Sequence, residues 1–204
     1  MNSRLYKRFL YDVRGVRDIR DLINTSCELF SDNTAYLVKE RPGGKYLPIK
    51  FKKVREDILF FGTSLVEADL LGKKVAVIGE NSYTWILTYL SVVCGGGIIV
   101  PIDRELPPDE IANLLNRSGA EAIVYSTRAE ETLKALVAEG KISLRMICMR
   151  PGHEAEGNDI PAMIESGRMA LSAGNHAYVE VKIEPDDCCA LLFTSGTTGL
   201  AKGV

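Results

Sequence analysis

Apolar runs of four to six residues alternate with longer amphipathic segments over most of the chain after residue 74. The runs are rich in β-branched residues, which favours strands, and the periodicity between them favours helices. Strands are predicted at 75–78, 98–102, 122–126, 144–149 and 188–193, and helices at 82–94, 107–117, 129–139 and from Pro161 onwards. Continuously apolar strands need cover on both faces, so this alternation predicts an α/β fold with a mainly parallel sheet layered between helices.

The segment before residue 74 has a different pattern. Two short alternating runs, 35–39 and 46–51, flank a stretch with proline and glycine at 41–45, which predicts a small N-terminal β-hairpin. An amphipathic helix is predicted over 51–70 because apolar residues recur there at three- and four-residue spacing. We expect one domain over 21–204, preceded by an extension at 1–20. The polar stretch 150–159 is interpreted as a mobile surface loop.

Charge and hydropathy exclude several classes of protein. The 204 residues carry a net charge of −2, so no basic field is available to attract nucleic acid, and we expect no nucleic-acid partner. The uncharged run 85–102 contains three consecutive glycines and Pro101, which predicts a buried helix and strand rather than a transmembrane segment. The basic residues between 4 and 20 are interpreted as a solvated extension or surface helix, with peripheral contact to an anionic membrane as the alternative.

The five cysteines are scattered, odd in number and set among apolar residues. Such a set predicts reduced thiols in a cytoplasmic protein. Cys188 and Cys189 are adjacent in a predicted strand, so their side chains point to opposite faces and cannot readily share a metal ion. Both are expected to pack in the core.

A loop rich in glycine and hydroxyl residues follows the last predicted strand. It reads TSGTTGLAKGV over residues 194–204. Glycines let consecutive backbone N–H groups converge on one anion, while the hydroxyls and Lys202 add donors and a positive charge. Lys202 follows Ala201 and precedes Gly203, so the Walker A spacing is absent. The composition nevertheless predicts a binding site for nucleotide phosphates.

This string resembles, almost letter for letter, the phosphate-binding signature of the acyl-adenylate-forming enzymes. That superfamily includes acyl-CoA synthetases, luciferases and the adenylation domains of peptide synthetases. Ala201 is the one departure, at a position where the family most often has proline, and it removes no ligand atom. The upstream segments 79–85, 95–102 and 106–111 resemble scaffold segments of the same family in the same order. The resemblance covers roughly residues 20–204.

The resemblance implies a function and a set of binding residues. In that family the loop contacts the β- and γ-phosphates of ATP, which assigns phosphate binding to Thr194, Ser195, Gly196, Thr197, Thr198, Gly199 and Lys202. The implied reaction activates a carboxylic acid with ATP and transfers the acyl group to coenzyme A, with magnesium as the metal and a long-chain fatty acid as the substrate. The alternatives are an amino-acid or aryl-acid adenylation domain and a short nucleotide-binding module without chemistry.

The chain ends inside the phosphate-loop motif, which predicts a fragment of a longer enzyme. In the resembled family the acyl pocket, the adenine-binding segment, the metal-binding acid and a catalytic lysine follow this motif. No catalytic residue and no metal ligand is therefore assigned in this sequence. The fragment alone is expected to be inactive, and a sheet edge left unpaired at its end is expected to promote self-association.

The remaining polar residues carry no predicted metal site. His153 and His176 are interpreted as solvated surface residues because neither has a second ligand at metal spacing. Six acidic residues could in principle hold magnesium, but helix starts and solvated loops explain them more simply. These residues are Asp103, Glu105, Asp109, Glu110, Asp186 and Asp187.

Overall fold

The computed structural model describes residues 14–39, 43–151, 158–194 and 202–204. The helices in these ranges are α1 (Ile19–Leu29), α2 (Phe51–Glu67), α3 (Tyr83–Cys94), α4 (Pro108–Ser118), α5 (Glu130–Ala138), α6 (Ile160–Ser172) and α7 (Ala177–Glu180). The strands are β1 (Thr34–Val38), β2 (Leu47–Lys50), β3 (Lys74–Ile78), β4 (Ile98–Ile102), β5 (Ala122–Tyr125), β6 (Arg145–Cys148), β7 (Phe193–Thr194) and β8 (Lys202–Gly203). Within the described ranges, no helix combines the length and the hydropathy needed to cross a membrane.

Four parallel strands form the central sheet in the order β4-β3-β5-β6. The first of them in the chain, β3, is paired on both sides, with Val75 opposite Ile99 of β4 and opposite Ala122 of β5. Side chains of α2, α3, α6 and α7 join the buried cluster on one face, and those of α4 and α5 join the cluster on the other. This arrangement confirms the predicted α/β fold with a parallel sheet covered on both faces.

The predicted N-terminal hairpin is present as β1 and β2, which pair antiparallel. The helix α2 follows directly, and its buried Asp57 carboxylate accepts hydrogen bonds from Lys53 Nζ and, at 2.7 Å, from Tyr83 Oη of α3. Burial and the neighbouring Asp57 carboxylate raise the pKa of Tyr83, so its hydroxyl keeps the proton and remains a donor. The Tyr83 ring also packs on Tyr36 of β1, with the ring centroids 5.6 Å apart. Tyr83 of α3 therefore connects α3 to α2 through its hydrogen bond to Asp57, and to the hairpin through its ring contact with Tyr36.

Replacing Asp57 with alanine is expected to destabilise the chain by about 1–3 kcal/mol, because the partly buried Tyr83 hydroxyl loses its acceptor. Asp57→Asn keeps an oxygen acceptor of the same shape, so we expect it to cost less. Urea denaturation of the two variants measures both changes in the free energy of unfolding. Equal losses in the alanine and asparagine variants would contradict a stabilising role for the hydrogen bond to Tyr83.

The helix α1 begins inside the predicted N-terminal extension. Asp18 caps it by accepting a hydrogen bond from the Asp21 backbone N–H at 2.7 Å. The Arg20 guanidinium donates to the carbonyl of Cys94 at 2.6 Å and to that of Val181 at 2.8 Å, which joins α1 to the ends of α3 and α7. The Arg20 side chain is thus half-buried and hydrogen-bonded to backbone carbonyls rather than solvated. Residues 1–13 lie outside the described ranges.

The strand predicted at 188–193 is wrong in its extent. A turn at 185–187 precedes the segment, and only Ala190 pairs with the central sheet, in one parallel bridge to Ile99. The core packing expected of the adjacent cysteines is also wrong for Cys188, which is exposed, and only partly right for Cys189, which is half-buried. The segment meets the sheet at its β4 edge, and no strand among the described residues lies beyond it. None of the five cysteines, all of which lie in the described ranges, forms a disulfide bond with another.

The polar stretch 150–159 is described only at its two ends, since residues 152–157 fall outside the described ranges. Asp159 at its C-terminal end is not a surface-loop residue. It is buried, it bridges to Cys148 of β6, and its carboxylate caps α6 by accepting a hydrogen bond from the Ala162 backbone N–H at 2.9 Å. An aspartate one residue before a helix that carries proline in its first turn is a favoured start, so the local sequence contained this signal.

Candidate phosphate-binding site

The two ends of the predicted phosphate loop are held together in a short antiparallel hairpin. β7 pairs with β8 so that Thr194 lies opposite Lys202, and Phe193 lies opposite Gly203. Directly opposed residues of antiparallel strands project from the same face, so the side chains of Thr194 and Lys202 share a face, and both are exposed. The Lys202 ammonium makes no ion pair with any of the described residues. A hydroxyl donor and an unpaired cation are therefore available together to an anion.

Thr194 and Lys202 are the two predicted phosphate-binding residues that the structure describes, and it brings them together. The other five lie outside the described ranges: Ser195, Gly196, Thr197, Thr198 and Gly199. Their contribution to phosphate binding stays a prediction.

Two backbone hydrogen bonds attach the chain before the loop to the edge of the central sheet. The Ile99 N–H donates to the Cys189 carbonyl at 3.0 Å, and the Leu191 N–H donates to the Ile99 carbonyl at 2.9 Å. The bridge is parallel, so the chain passes towards the carboxyl ends of the strands before it enters β7. Parallel α/β sheets bind ligands at that end. The side chains of Leu191 and Phe193 pack on the buried cluster beneath α4 and α5.

A cluster of charged residues occupies the carboxyl ends of the central strands. Glu80 follows β3, and its carboxylate pairs with Arg128, which follows β5, at 2.7 Å and with Arg104, which follows β4, at 3.7 Å. Arg104 also pairs with Glu105 at 2.9 Å. Two carboxylates thus balance two guanidinium groups, so the cluster joins three loops without leaving a spare cation. Sequence reasoning missed it by treating 79–85 as scaffold, although charged residues just after buried strands were the available signal.

The surroundings of Glu80 favour its ionised form. Burial raises the pKa of this carboxyl, but Ser126, the backbone, Arg128 and Arg104 together outweigh burial and hold the pKa below its usual value. The Ser126 hydroxyl oxygen is buried and forms no hydrogen bond of normal geometry within the described ranges. We therefore assign the lowering chiefly to the two guanidinium groups, the nearer of which forms the 2.7 Å ion pair.

Glu80 is expected to contribute stability that depends on pH. A carboxyl with a lowered folded-state pKa stabilises the fold above its unfolded pKa of about 4.3, and this contribution is lost as the pH falls through the folded-state value. Urea denaturation between neutral and acidic pH should show the stability difference between wild type and Glu80→Gln narrowing below about pH 4. Arg128→Gln removes the nearest cation, so the folded-state pKa of Glu80 should rise and its contribution to stability should be lost at a higher pH. A difference that stays constant with pH would refute the assignment.

The described residues contain no group of three or more His, Cys, Asp or Glu side chains placed to hold a metal ion. Asp109 lies in the first turn of α4, as predicted, and pairs with Lys141 at 2.6 Å. Asp187 accepts a hydrogen bond from the Glu184 backbone N–H at 2.9 Å, in a turn. His176 is exposed beside α7, and His153 lies outside the described ranges. Asp109 thus lies at a helix start and Asp187 in a turn.

A doubly wound parallel sheet with a glycine- and hydroxyl-rich loop at the carboxyl ends of its strands is typical of nucleotide-binding α/β proteins. A sequence model of the family described as AMP-binding enzyme matches residues 24–204. The chain therefore belongs to the AMP-binding enzyme family, which is the acyl-adenylate-forming superfamily that its loop resembles.

Several relatives are ligases by name. A chloroplastic long-chain-fatty-acid–acyl-carrier-protein ligase of Arabidopsis thaliana is 28% identical, with 91% of this chain and 27% of that protein covered. A crotonobetaine/carnitine–CoA ligase of Escherichia fergusonii is 28% identical, with 95% of this chain and 37% of that protein covered. The fold matches a crystal structure of a long-chain-fatty-acid-CoA ligase from Archaeoglobus fulgidus with a TM-score of 0.73 at 21% identity, covering 98% of this chain and 38% of that one. The chain thus spans 27% to 38% of the length of these proteins.

Proposed function

We propose that the full-length protein containing this chain converts a carboxylic acid and ATP into an acyl-adenylate and pyrophosphate, and then transfers the acyl group to coenzyme A. Membership of the AMP-binding enzyme family supports the adenylation step. The single observation that carries the proposal is the pairing of Thr194 with Lys202 at the two ends of the loop, with both side chains exposed on one face. We propose residues 21–204 as the first part of the enzyme's large AMP-binding domain.

In the first step, a carboxylate oxygen attacks the α-phosphorus of ATP, and the bond from that phosphorus to the oxygen bridging to the β-phosphate breaks. Pyrophosphate leaves with increased negative charge, so donors that are already in place lower the barrier. We assign the Lys202 ammonium and the Thr194 hydroxyl to the β- and γ-phosphate oxygens. The same role is proposed for Ser195, Gly196, Thr197, Thr198 and Gly199. In the second step, the thiol of coenzyme A attacks the acyl carbon and AMP leaves.

A long-chain fatty acid is the proposed substrate, because two relatives are named as ligase or synthetase for long-chain fatty or acyl groups. ATP and coenzyme A are the proposed cosubstrates. Magnesium would neutralise phosphate charge when bound, but the described residues do not form a site for it, and the steps above are assigned without it. We propose a cytoplasmic location, where thiols are kept reduced, because the five cysteines are not joined by disulfide bonds.

Carboxylate-dependent exchange of labelled pyrophosphate into ATP tests the proposal in the full-length protein. The panel contains long-chain fatty acids, aryl acids and amino acids, and thioester formation is followed after coenzyme A is added. Exchange and thioester formation with long-chain fatty acids are the expected results. Exchange with an aryl or amino acid alone would support the adenylation step and contradict a long-chain fatty acid as the substrate. A folded protein that binds ATP but exchanges with no acid would be a nucleotide-binding module without this chemistry.

The 204-residue chain by itself is expected to give no exchange and to self-associate. Its exposed apolar side chains include Leu37, Tyr46 and Leu47 on the N-terminal hairpin and Leu192 beside β7. Exposed apolar surface of this kind favours association in water. Sedimentation velocity at increasing concentration should show a rising sedimentation coefficient. A monomer at every concentration would contradict the expectation.

A further inference from the structure

We propose that Arg117 is a positioning residue for Thr194 and Lys202, the paired ends of the predicted phosphate loop, and that it acts through the ring of Phe193. This inference rests on the proposed function, because the loop is taken to bind the phosphates of ATP. The Arg117 guanidinium carbon lies 5.8 Å from the centroid of the Phe193 ring, within the range of a cation–π contact. Phe193 immediately precedes Thr194, the first residue assigned to phosphate binding. The contact therefore lies one residue from the site.

The hairpin that carries the loop has few other attachments. Its last described backbone bond to the central sheet is the one from Leu191 to Ile99, two residues before Phe193. Beyond that point, the described backbone hydrogen bonds join the hairpin only to itself, as between Leu192 and Val204 at 2.8 Å in both directions. The Phe193 side chain is thus the last attachment of this strand to the body of the domain before the loop begins.

Arg117 is well placed to hold that side chain. It lies in the last turn of α4, whose residues Ile111, Leu114 and Leu115 are buried, so its backbone is fixed. A cation is also favoured near the C-terminus of a helix. Arg117 forms no ion pair or hydrogen bond within the described ranges. Its charge is therefore free to act on the ring, unlike those of the arginines in the Glu80 cluster.

Gly203, which lies opposite Phe193 in the hairpin, leaves room for the Phe193 ring. Gly203 pairs with Phe193, and a Cβ at this position would lie 3.5 Å from Phe193 Cε1 and 3.0 Å from Leu191 Cδ1. A side chain larger than alanine would crowd both groups. Phe193 is half-buried, whereas Thr194 and Lys202 are exposed, as expected from the alternation of strand residues. Holding the ring on the domain therefore turns the phosphate-binding side chains outward.

Variants of Arg117 in the full-length protein test this role by pyrophosphate exchange. Arg117→Gln should raise the KM for ATP about 2–5-fold, the size expected for one partly exposed cation–π contact, and leave kcat and the KM for the carboxylic acid unchanged. Arg117→Lys keeps a cation and should recover most of the lost affinity. Asn113→Ala, an exposed change on the same helix, is the control and should match wild type. Equal KM values in wild type and Arg117→Gln, or no recovery with lysine, would overturn the proposal.

Amide hydrogen exchange provides a readout that does not need catalysis. In the full-length protein, the Leu192 amide, which donates to Val204, should exchange faster in Arg117→Gln than in wild type, while the exchange rate of the Val77 amide in the central sheet stays unchanged. If no carboxylic acid supports pyrophosphate exchange, the proposed function fails and this measurement still tests the attachment. An unchanged Leu192 rate, or equal acceleration at Leu192 and Val77, would overturn it.

Discussion

Replacing Lys202 with methionine in the full-length protein is expected to lower the rate of pyrophosphate exchange roughly 10²-fold or more. Methionine keeps most of the length and apolar stem of the side chain and removes its charge. Donors aimed at charge that develops in the transition state contribute about 10²–10³-fold when removed singly. Lys202 is the described cation on the face shared with Thr194, and no described carboxylate neutralises it. Removing the Lys202 charge should therefore mainly slow the step in which pyrophosphate leaves.

The control for this prediction is Lys141→Met, which removes an exposed lysine that pairs with Asp109 of α4 and has no assigned role in phosphate binding. It should leave the exchange rate within about twofold of wild type, as for most surface changes. Lys202→Arg keeps the charge with a different geometry and should fall between wild type and the methionine variant. Thermal midpoints of the three variants should agree, since Lys202 is exposed. A methionine variant as active as wild type would remove Lys202 from the proposed site.

Gly167→Ala is expected to destabilise the chain by roughly 2 kcal/mol or more, or to prevent folding. A Cβ at this position of α6 would lie 1.8 Å from the Phe60 carbonyl oxygen and 2.9 Å from the Ser64 backbone nitrogen, both in α2. Helix propensity alone predicts the opposite sign, because alanine in a helix interior is favoured over glycine by about 1 kcal/mol. The steric cost should dominate, since the atoms that clash belong to backbone and no change of rotamer can relieve them.

Gly15→Ala is the control for the steric effect, because a Cβ there would meet no atom of the described residues within 4 Å. Its effect on the free energy of unfolding should stay within about 0.5 kcal/mol. Urea denaturation followed by circular dichroism measures both variants, and the thermal midpoint provides the value if Gly167→Ala is too unstable for a full curve. If Gly167→Ala unfolds at a higher urea concentration than wild type, helix propensity outweighs the close approach of α6 to α2, and the prediction is wrong.

Much of the fold was predictable because its signals are local. The strands predicted at 75–78 and 98–102 correspond to β3 (Lys74–Ile78) and β4 (Ile98–Ile102), since β-branched runs between turn residues are specific for buried strands. The helix predicted at 82–94 corresponds to α3 (Tyr83–Cys94), whose first turn is capped by the Ser82 hydroxyl, which accepts from the Trp85 N–H at 3.2 Å. The phosphate loop was identified from its composition and its resemblance to a family. Of its seven predicted binding residues, the structure describes two and brings both to one face of the hairpin.

The predictions that failed depended on neighbours distant in sequence. The apolar run at 188–193 has the composition of a strand, but its pairing with β4 depends on how much of the run lies along that edge strand. Of these residues, only Ala190 forms a bridge to β4. The exposure of Cys188 follows from the same placement. Charged residues just after buried strands were a signal for the Glu80 cluster, but the sequence could not assign the ion-pair partners of Glu80, because Arg104 and Arg128 lie 24 and 48 positions further along the chain.

Backbone propensity, periodicity and motif spacing act over a few residues, so the α/β class, most strands and helices around the sheet and the glycine- and hydroxyl-rich motif follow from the sequence alone. The strand order β4-β3-β5-β6, the contact of Arg117 with Phe193 and the hydrogen bond between Tyr83 and Asp57 arise only in the folded chain. These join residues far apart in the chain, and their energies exist only after the sheet has brought them within van der Waals or hydrogen-bond distance.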